Sequence, residues 1–166
     1  MILKGRRILV IGGTGSLGQH IVKRLLSEDP KDITIFSRDE AKQYKMRLSH
    51  RNIEEATGEI IYQDHKSKLT FCIGDVRSYP SVLQAVRKAD IIIHAAALKQ
   101  VPTCEYFPYE AVQTNIIGAQ NIVRATQEHP VDLVVGVSTD KACKPINVYG
   151  MTKAIQERIF IKANTD

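Results

Sequence analysis

The sequence predicts an α/β fold: a doubly wound, Rossmann-type parallel sheet with helices on both faces. Short apolar runs alternate with segments of helical period along the whole chain. Runs such as Ile91-Ile92-Ile93 and Leu133-Val134-Val135 lack polar alternation, which is the mark of strands buried on both faces. A glycine-rich stretch, Gly12-Gly13-Thr14-Gly15-Ser16-Leu17-Gly18, follows the first apolar run and opens the first helical segment.

Strands are expected at residues 7–12, 32–37, 69–74, 90–96 and 133–138. Helices are expected at residues 16–27, 39–56, 78–88, 109–128 and 148–163, with Pro30, Pro80, Pro108 and Pro130 near their ends. This β-α alternation implies the strand order 3-2-1-4-5. Residues 57–68 read as an irregular or hairpin insertion before the third strand.

The 166 residues, 43% apolar and 25% charged, suit one globular domain with a sizeable core and argue against disorder. A formal net charge of +5 suits anionic ligands without naming them. The charges between Arg38 and Arg51 read as a solvated helix face, not a nucleic-acid surface. Cys72, Cys104 and Cys143 form no CxxC pair and the five histidines show no metal-ligand spacing, so a reducing cytoplasm is expected, with no disulfide and no metal. The opening MILKGRRILVIGG holds too short an apolar run for a signal peptide, and the run from Ala89 to Leu98 is interrupted by Asp90 and His94, so no membrane span is expected.

Glycines at 12, 15 and 18 allow a tight turn, close approach of a pyrophosphate and close helix packing, while free N–H groups at the helix start attract phosphate. About twenty residues further on, where an acidic side chain would hold the ribose of NAD, stand Ser37-Arg38-Asp39. Arg38 can grip a 2′-phosphate bidentately, Ser37 adds a hydroxyl donor and Lys42 a further positive charge, so NADP is expected ahead of NAD. Asp39 reads as the N-cap of the next helix, the alternative being a ribose partner. In Gly74-Asp75-Val76, the carboxylate either accepts from the adenine amino group or caps a turn.

The combination GGTGSLG, SRDE, GDVR, HAAALKQVP, TNIIGAQN and STDKACKPINVYGMTK resembles the extended short-chain dehydrogenase/reductases. Within them it is similar to the nucleotide-sugar 4,6-dehydratases of the polysaccharide-biosynthesis family, including inverting UDP-N-acetylglucosamine 4,6-dehydratases. The resemblance runs through the whole chain, and family members continue beyond it into further strands and a smaller substrate domain. It implies that residues 1–166 are the NADP-binding N-terminal part of a longer enzyme, homo-oligomeric in full-length form, with a UDP-sugar as substrate.

Tyr149 and Lys153 stand at i, i+4, which puts both on one helix face, and an ammonium there can stabilise a phenolate whose ordinary pKa is ~10. The resemblance makes Tyr149 the base for the sugar C4 hydroxyl, lets Lys153 also bind the nicotinamide ribose, and gives Thr139 the task of orienting that hydroxyl. It also places Ala95 against the cofactor and Lys99 against substrate phosphate or sugar. A 4-keto group acidifies C5, so a second acid/base set is needed for dehydration. Adjacent Asp140 and Lys141 can supply it, Lys141 as base at C5 and Asp140 as acid for water leaving C6. Asn115 anchors backbone near the site or hydrogen-bonds in the core; Cys143 is a bystander; His94 is expected to satisfy buried backbone groups. Two other readings stand beside the dehydratase. A nucleotide-sugar 4-epimerase needs Tyr149 and Lys153 but not Asp140 and Lys141, and a noncatalytic NADP-binding module needs none of the four.

Overall fold

The structure, a computed structural model, describes residues 2–51 and 68–165. Five parallel strands, β1 (Arg7–Ile11), β2 (Asp32–Ser37), β3 (Leu69–Ile73), β4 (Ile91–His94) and β5 (Leu133–Gly136), form one sheet in the order β3-β2-β1-β4-β5. The expected order is therefore the observed one. Between them run α1 (Ser16–Leu26), α2 (Glu40–Arg51), α3 (Tyr79–Val86), α4 (Val101–Tyr106), α5 (Pro108–Ala111) and α6 (Gly118–Glu128), and α7 (Val148–Ala163) follows β5. The expected insertion at 57–68 and the end of the helix at 39–56 fall outside the described residues, apart from Lys68 and the part of that helix up to Arg51.

The period of two along each strand divides the core into two layers. On β1, Leu9 and Ile11 join Phe36 and Ile92 against Val82, Val86, Ile122 and Ala125 of α3 and α6. Ile8 and Val10 join Ile33, Ile35 and Ile91 on the opposite face, against Val22 and Leu25 of α1 and Met46 of α2. In β1, Leu9 and Val10 are wholly buried, as a central strand covered by helices must be.

Two expectations need correction. Burial on both faces fails for β5: Val134 packs against the α3–α6 layer, but Leu133 and Val135 remain 44% and 43% exposed. Among the described residues β5 pairs only with β4, and α1 and α2 cover the far face over β1, β2 and β4 but not over β5. The helix expected at 109–128 is broken into α5, a π-helical turn at Val112–Ile117 and α6, and α4 precedes it unforeseen. A π turn inserts one residue into the helical ladder, and no apolar period announces it.

Candidate functional site

Every strand of a parallel sheet ends on the same side, so the residues after β1, β2, β3, β4 and β5 share one edge of the molecule. The glycine loop lies there. Gly12 has φ +82°, and a Cβ on it would stand 2.6 Å from Ala96 N, so the backbone just after β4 closes directly over the turn. Gly15 differs: a Cβ there would meet only Gly12 O, at 3.4 Å, so its bare face is not needed for internal packing. Gly15 is the N-cap of α1 without a side-chain acceptor, and the first helical bond runs from Gln19 N to Gly15 O at 2.8 Å. The N–H groups of Ser16, Leu17 and Gly18 therefore present the positive end of the helix to the space in front.

That space is a cleft of about 310 Å³, a small-molecule size. Gly12, Thr14, Gly15, Ser16, Leu17, Gly18, Ser37, Arg38, Lys42, Val76, Ala95 and Lys99 all line it, twelve positions singled out from the sequence. Asp39 lines it too, but its carboxylate accepts from Lys42 N at 2.9 Å and pairs with Lys42 Nζ at 3.1 Å. These bonds hold its pKa below the ordinary carboxylate value. Asp39 is thus the cap expected of it. Arg38 lies 55% exposed, with Asp75 3.7 Å away. Asp75 is not in the lining; its carboxylate is engaged by the Arg77 guanidinium.

Ile11, Phe36, Gly74, Ala96 and Ala97 also line the cleft without having been singled out, and Thr114 and Gln43 add polar groups that went unnoticed in the sequence. Thr114 lines the cleft from the π turn. Gln43, almost wholly buried in α2, donates to Ser37 O, Ser37 Oγ and Cys72 O at 3.0, 3.1 and 2.8 Å, tying the ends of β2 and β3. A polar residue on the inward stripe of a helix was the available signal for Gln43; Thr114 had none. Because Ser37 Oγ accepts from Gln43, its hydrogen stays available to a ligand.

Thr139, Asp140, Lys141, Tyr149 and Lys153 form a second group beside this cleft and outside its lining. A 3₁₀ turn at Asp140–Ala142 follows β5, capped by Thr139 Oγ1. Gly150 seats this turn against α7: a Cβ there would stand 2.1 Å from Lys141 O. Thr139 Oγ1 donates to Asp140 Oδ1 at 3.0 Å, and Lys141 Nζ lies 3.3 Å from the same oxygen. The hydroxyl and the ammonium hold the Asp140 carboxyl below its ordinary range, opposite to what a proton donor at neutral pH requires.

Tyr149 is buried with Cys104 and Ala111, beside Leu98 and Val101. Lys153 donates to Val137 O at 2.6 Å and to Gln156 Oε1 at 2.7 Å, so its ammonium is directed to the β5 exit instead of the phenol. Burial lowers its pKa from 10.5 to about 8. Gln156, buried and unforeseen, also donates to Val137 O at 3.2 Å.

Asn115 joins the two groups. Its amide accepts from Leu98 N at 2.9 Å, donates to Leu98 O at 2.9 Å and donates to Thr152 Oγ1 at 3.0 Å. It ties the loop that carries Lys99 to the helix that carries Tyr149 and Lys153, so both roles expected of it, anchor and core hydrogen bonding, are met. His94 departs from expectation: neither ring nitrogen has a hydrogen-bond partner among the described residues, and the ring instead packs edge-on to Phe160 at 6.0 Å. Full burial keeps it neutral, its pKa lowered to about 3, with Lys153 adding to the effect. Cys143 is exposed at the end of the 3₁₀ turn. Among the described residues no cluster of metal-ligating side chains occurs, and no helix is long and apolar enough to cross a membrane.

The chain is 45% identical over 160 residues to a Rickettsia bellii protein named UDP-glucose 4-epimerase, covering 94% of this chain and 43% of that one. It superposes on Pen from Bacillus thuringiensis with a TM-score of 0.89 at 37% identity, over 100% of this chain and 47% of that one. It also superposes on DesIV, a dTDP-glucose 4,6-dehydratase from Streptomyces venezuelae solved with NAD and TYD bound. There the TM-score is 0.74 at 22% identity, over 92% of this chain and 50% of that one, a likeness of fold alone. The chain thus spans under half the length of the Rickettsia relative. Residues 8–166, from the first strand through the helix bearing Tyr149 and Lys153, match the family described as polysaccharide biosynthesis protein, and the chain belongs to that family.

Proposed function

We propose that this chain is the dinucleotide-binding part of an enzyme that oxidises a UDP-sugar at C4 during polysaccharide synthesis. The observation that carries the reading is the juxtaposition, through Asn115, of a glycine-loop cleft with the helix bearing Tyr149 and Lys153. A nicotinamide dinucleotide bound in the cleft would supply the hydride acceptor for C4 and the donor for its return. The N–H groups of Ser16, Leu17 and Gly18 take its pyrophosphate, Val76 and Ala95 form apolar wall, and Arg38 and Lys42 receive a 2′-phosphate, which favours NADP over NAD. Tyr149 removes the C4 hydroxyl proton, Thr139 orients that hydroxyl, Lys153 supplies positive charge one turn along α7, and Lys99 reaches substrate phosphate or sugar.

The name of the Rickettsia relative favours 4-epimerisation as the overall reaction, ahead of the dehydration that the sequence motifs suggested. Dehydration stays as the second reading because Asp140 and Lys141 stand next to Thr139 with 85% and 47% of their side chains exposed, accessible to a sugar and not required by an epimerase. In that reading Lys141 takes the C5 proton, and substrate must replace the bonds that now keep Asp140 ionised before it can protonate the C6 leaving group.

Nuclear magnetic resonance of products tests this. The full-length enzyme is given UDP-glucose and UDP-N-acetylglucosamine. A C4 epimer supports epimerisation, and a 6-deoxy-4-keto sugar supports dehydration. Tight dinucleotide binding with neither product would sink both in favour of a noncatalytic module.

A further inference from the structure

Four charged side chains meet where β3 ends, beside the cleft: Arg38, Asp75, Arg77 and Glu110. Their distances are unequal. Arg77 donates to Asp75 Oδ1 from its backbone N at 2.9 Å and from Nε at 3.1 Å, and to Oδ2 from Nε at 3.0 Å and Nη2 at 2.7 Å. Its Nη1 donates to Glu110 Oε2 at 2.7 Å, which fixes the guanidinium plane between β3 and α5. Arg38 reaches Asp75 Oδ2 only at 3.7 Å and keeps 55% of its side chain exposed. Burial alone raises the Asp75 pKa, but the Arg77 contacts outweigh it and leave the carboxyl below its ordinary value. Lys42, a second cation in the lining, is paired with Asp39.

We infer that Arg77 is a specificity-determining residue for the adenosine end of the cleft, acting through Asp75. By filling both carboxylate oxygens it prevents Asp75 from closing on Arg38, so the Arg38 guanidinium stays available to a 2′-phosphate. The inference rests on reading the cleft as a dinucleotide site with that phosphate at Arg38. Two arginines against two carboxylates leave the group neutral; without Arg77 it carries a net negative charge next to where a dianionic phosphate must sit. Arg38 would then be drawn to a carboxylate whose Oδ2 is unfilled and whose Oδ1 keeps only the backbone N–H of residue 77, and phosphate would compete with it for the same fork. NAD, with no phosphate there, is affected far less. Preference between the two cofactors is accordingly a property of the Arg38, Asp75 and Arg77 side chains together.

The test is calorimetric titration of the full-length protein with NADP+ and with NAD+, read as the ratio of the two dissociation constants. Contacts to adenine are common to both ligands and cancel in this ratio. Arg77→Met should reduce the preference for NADP+ on the order of tenfold, the scale of one weakened charge-assisted contact. Adding Asp75→Asn to Arg77→Met should restore the ratio to within roughly threefold of the unaltered protein, because the competing charge is gone. Restoration also shows that the first effect was not misfolding. Asp75→Asn alone, which keeps Arg77, should raise the preference severalfold. An unchanged ratio in Arg77→Met, no restoration in the double variant, or a fall in Asp75→Asn overturns the inference. Arg38→Ala tests the reading beneath it: a ratio unaltered by that change removes the 2′-phosphate from Arg38, whatever Arg77 does.

Discussion

Lys153 and His94 are bases whose charged forms the fold disfavours, and the sign of their effect on stability follows. Burial lowers Lys153 from 10.5 to about 8 and His94 from 6.5 to about 3, so in each window the unfolded chain binds more protons than the folded one. Stability therefore rises with pH from about 3 to 6.5 through His94, and again from about 8 to 10.5 through Lys153. Each contributes at most ~1.4 kcal/mol per pH unit. Denaturant unfolding at a series of pH values should show both slopes, with His94→Leu removing the acid one and Lys153→Met the alkaline one. Unaltered slopes in these variants would show that other groups govern the pH dependence. At the same scale, Tyr149→Phe should abolish C4 oxidation while dinucleotide affinity persists. Lys141→Ala separates the two proposed reactions: it should slow water loss by a factor on the order of 10² to 10⁴ if Lys141 is the C5 base, and leave epimerisation little changed.

At the scale of elements, the sequence made the strands and the glycine loop readable because their signals are local: unbroken apolar runs, glycines at fixed spacing and an Asp before a helix. Helix α7 was found with its observed bounds. The π turn at Val112–Ile117 was not, since the bonds that its Asn115 makes run to Leu98 and Thr152, residues 17 and 37 positions away. Asn115→Ala should leave the Leu98 backbone groups unpaired beneath the site and cost about 2 to 3 kcal/mol, measured by thermal or denaturant unfolding. A loss below ~0.5 kcal/mol would show that water or a shifted backbone replaces the amide. Gly150 was likewise invisible as a contact. Gly150→Ala should push the Asp140–Ala142 turn from α7, because the obstructing atom is backbone Lys141 O, with a cost of about 1 to 3 kcal/mol. The same change should disturb turnover more than cofactor binding, since the cleft lining does not include this turn.

For the whole molecule, strand order was legible from β-α alternation, while the exposed face of β5 was not: apolar composition tells that a strand can be buried, not what covers it. The candidate site was legible to the extent that sheet topology brings separate motifs to one edge. The direction of the Lys153 ammonium, toward Val137 and Gln156, depends on packing between β5 and α7 that no spacing encodes. The central claim, oxidation and re-reduction of a sugar by this edge of the sheet, is tested most directly by the fate of deuterium placed at C4 of the UDP-sugar. With the full-length enzyme, the account predicts product in which that deuterium is back on C4 with inverted configuration, for epimerisation, or on C6, for dehydration. Deuterium still on C4 with its original configuration in every product, or lost entirely to solvent, would contradict it.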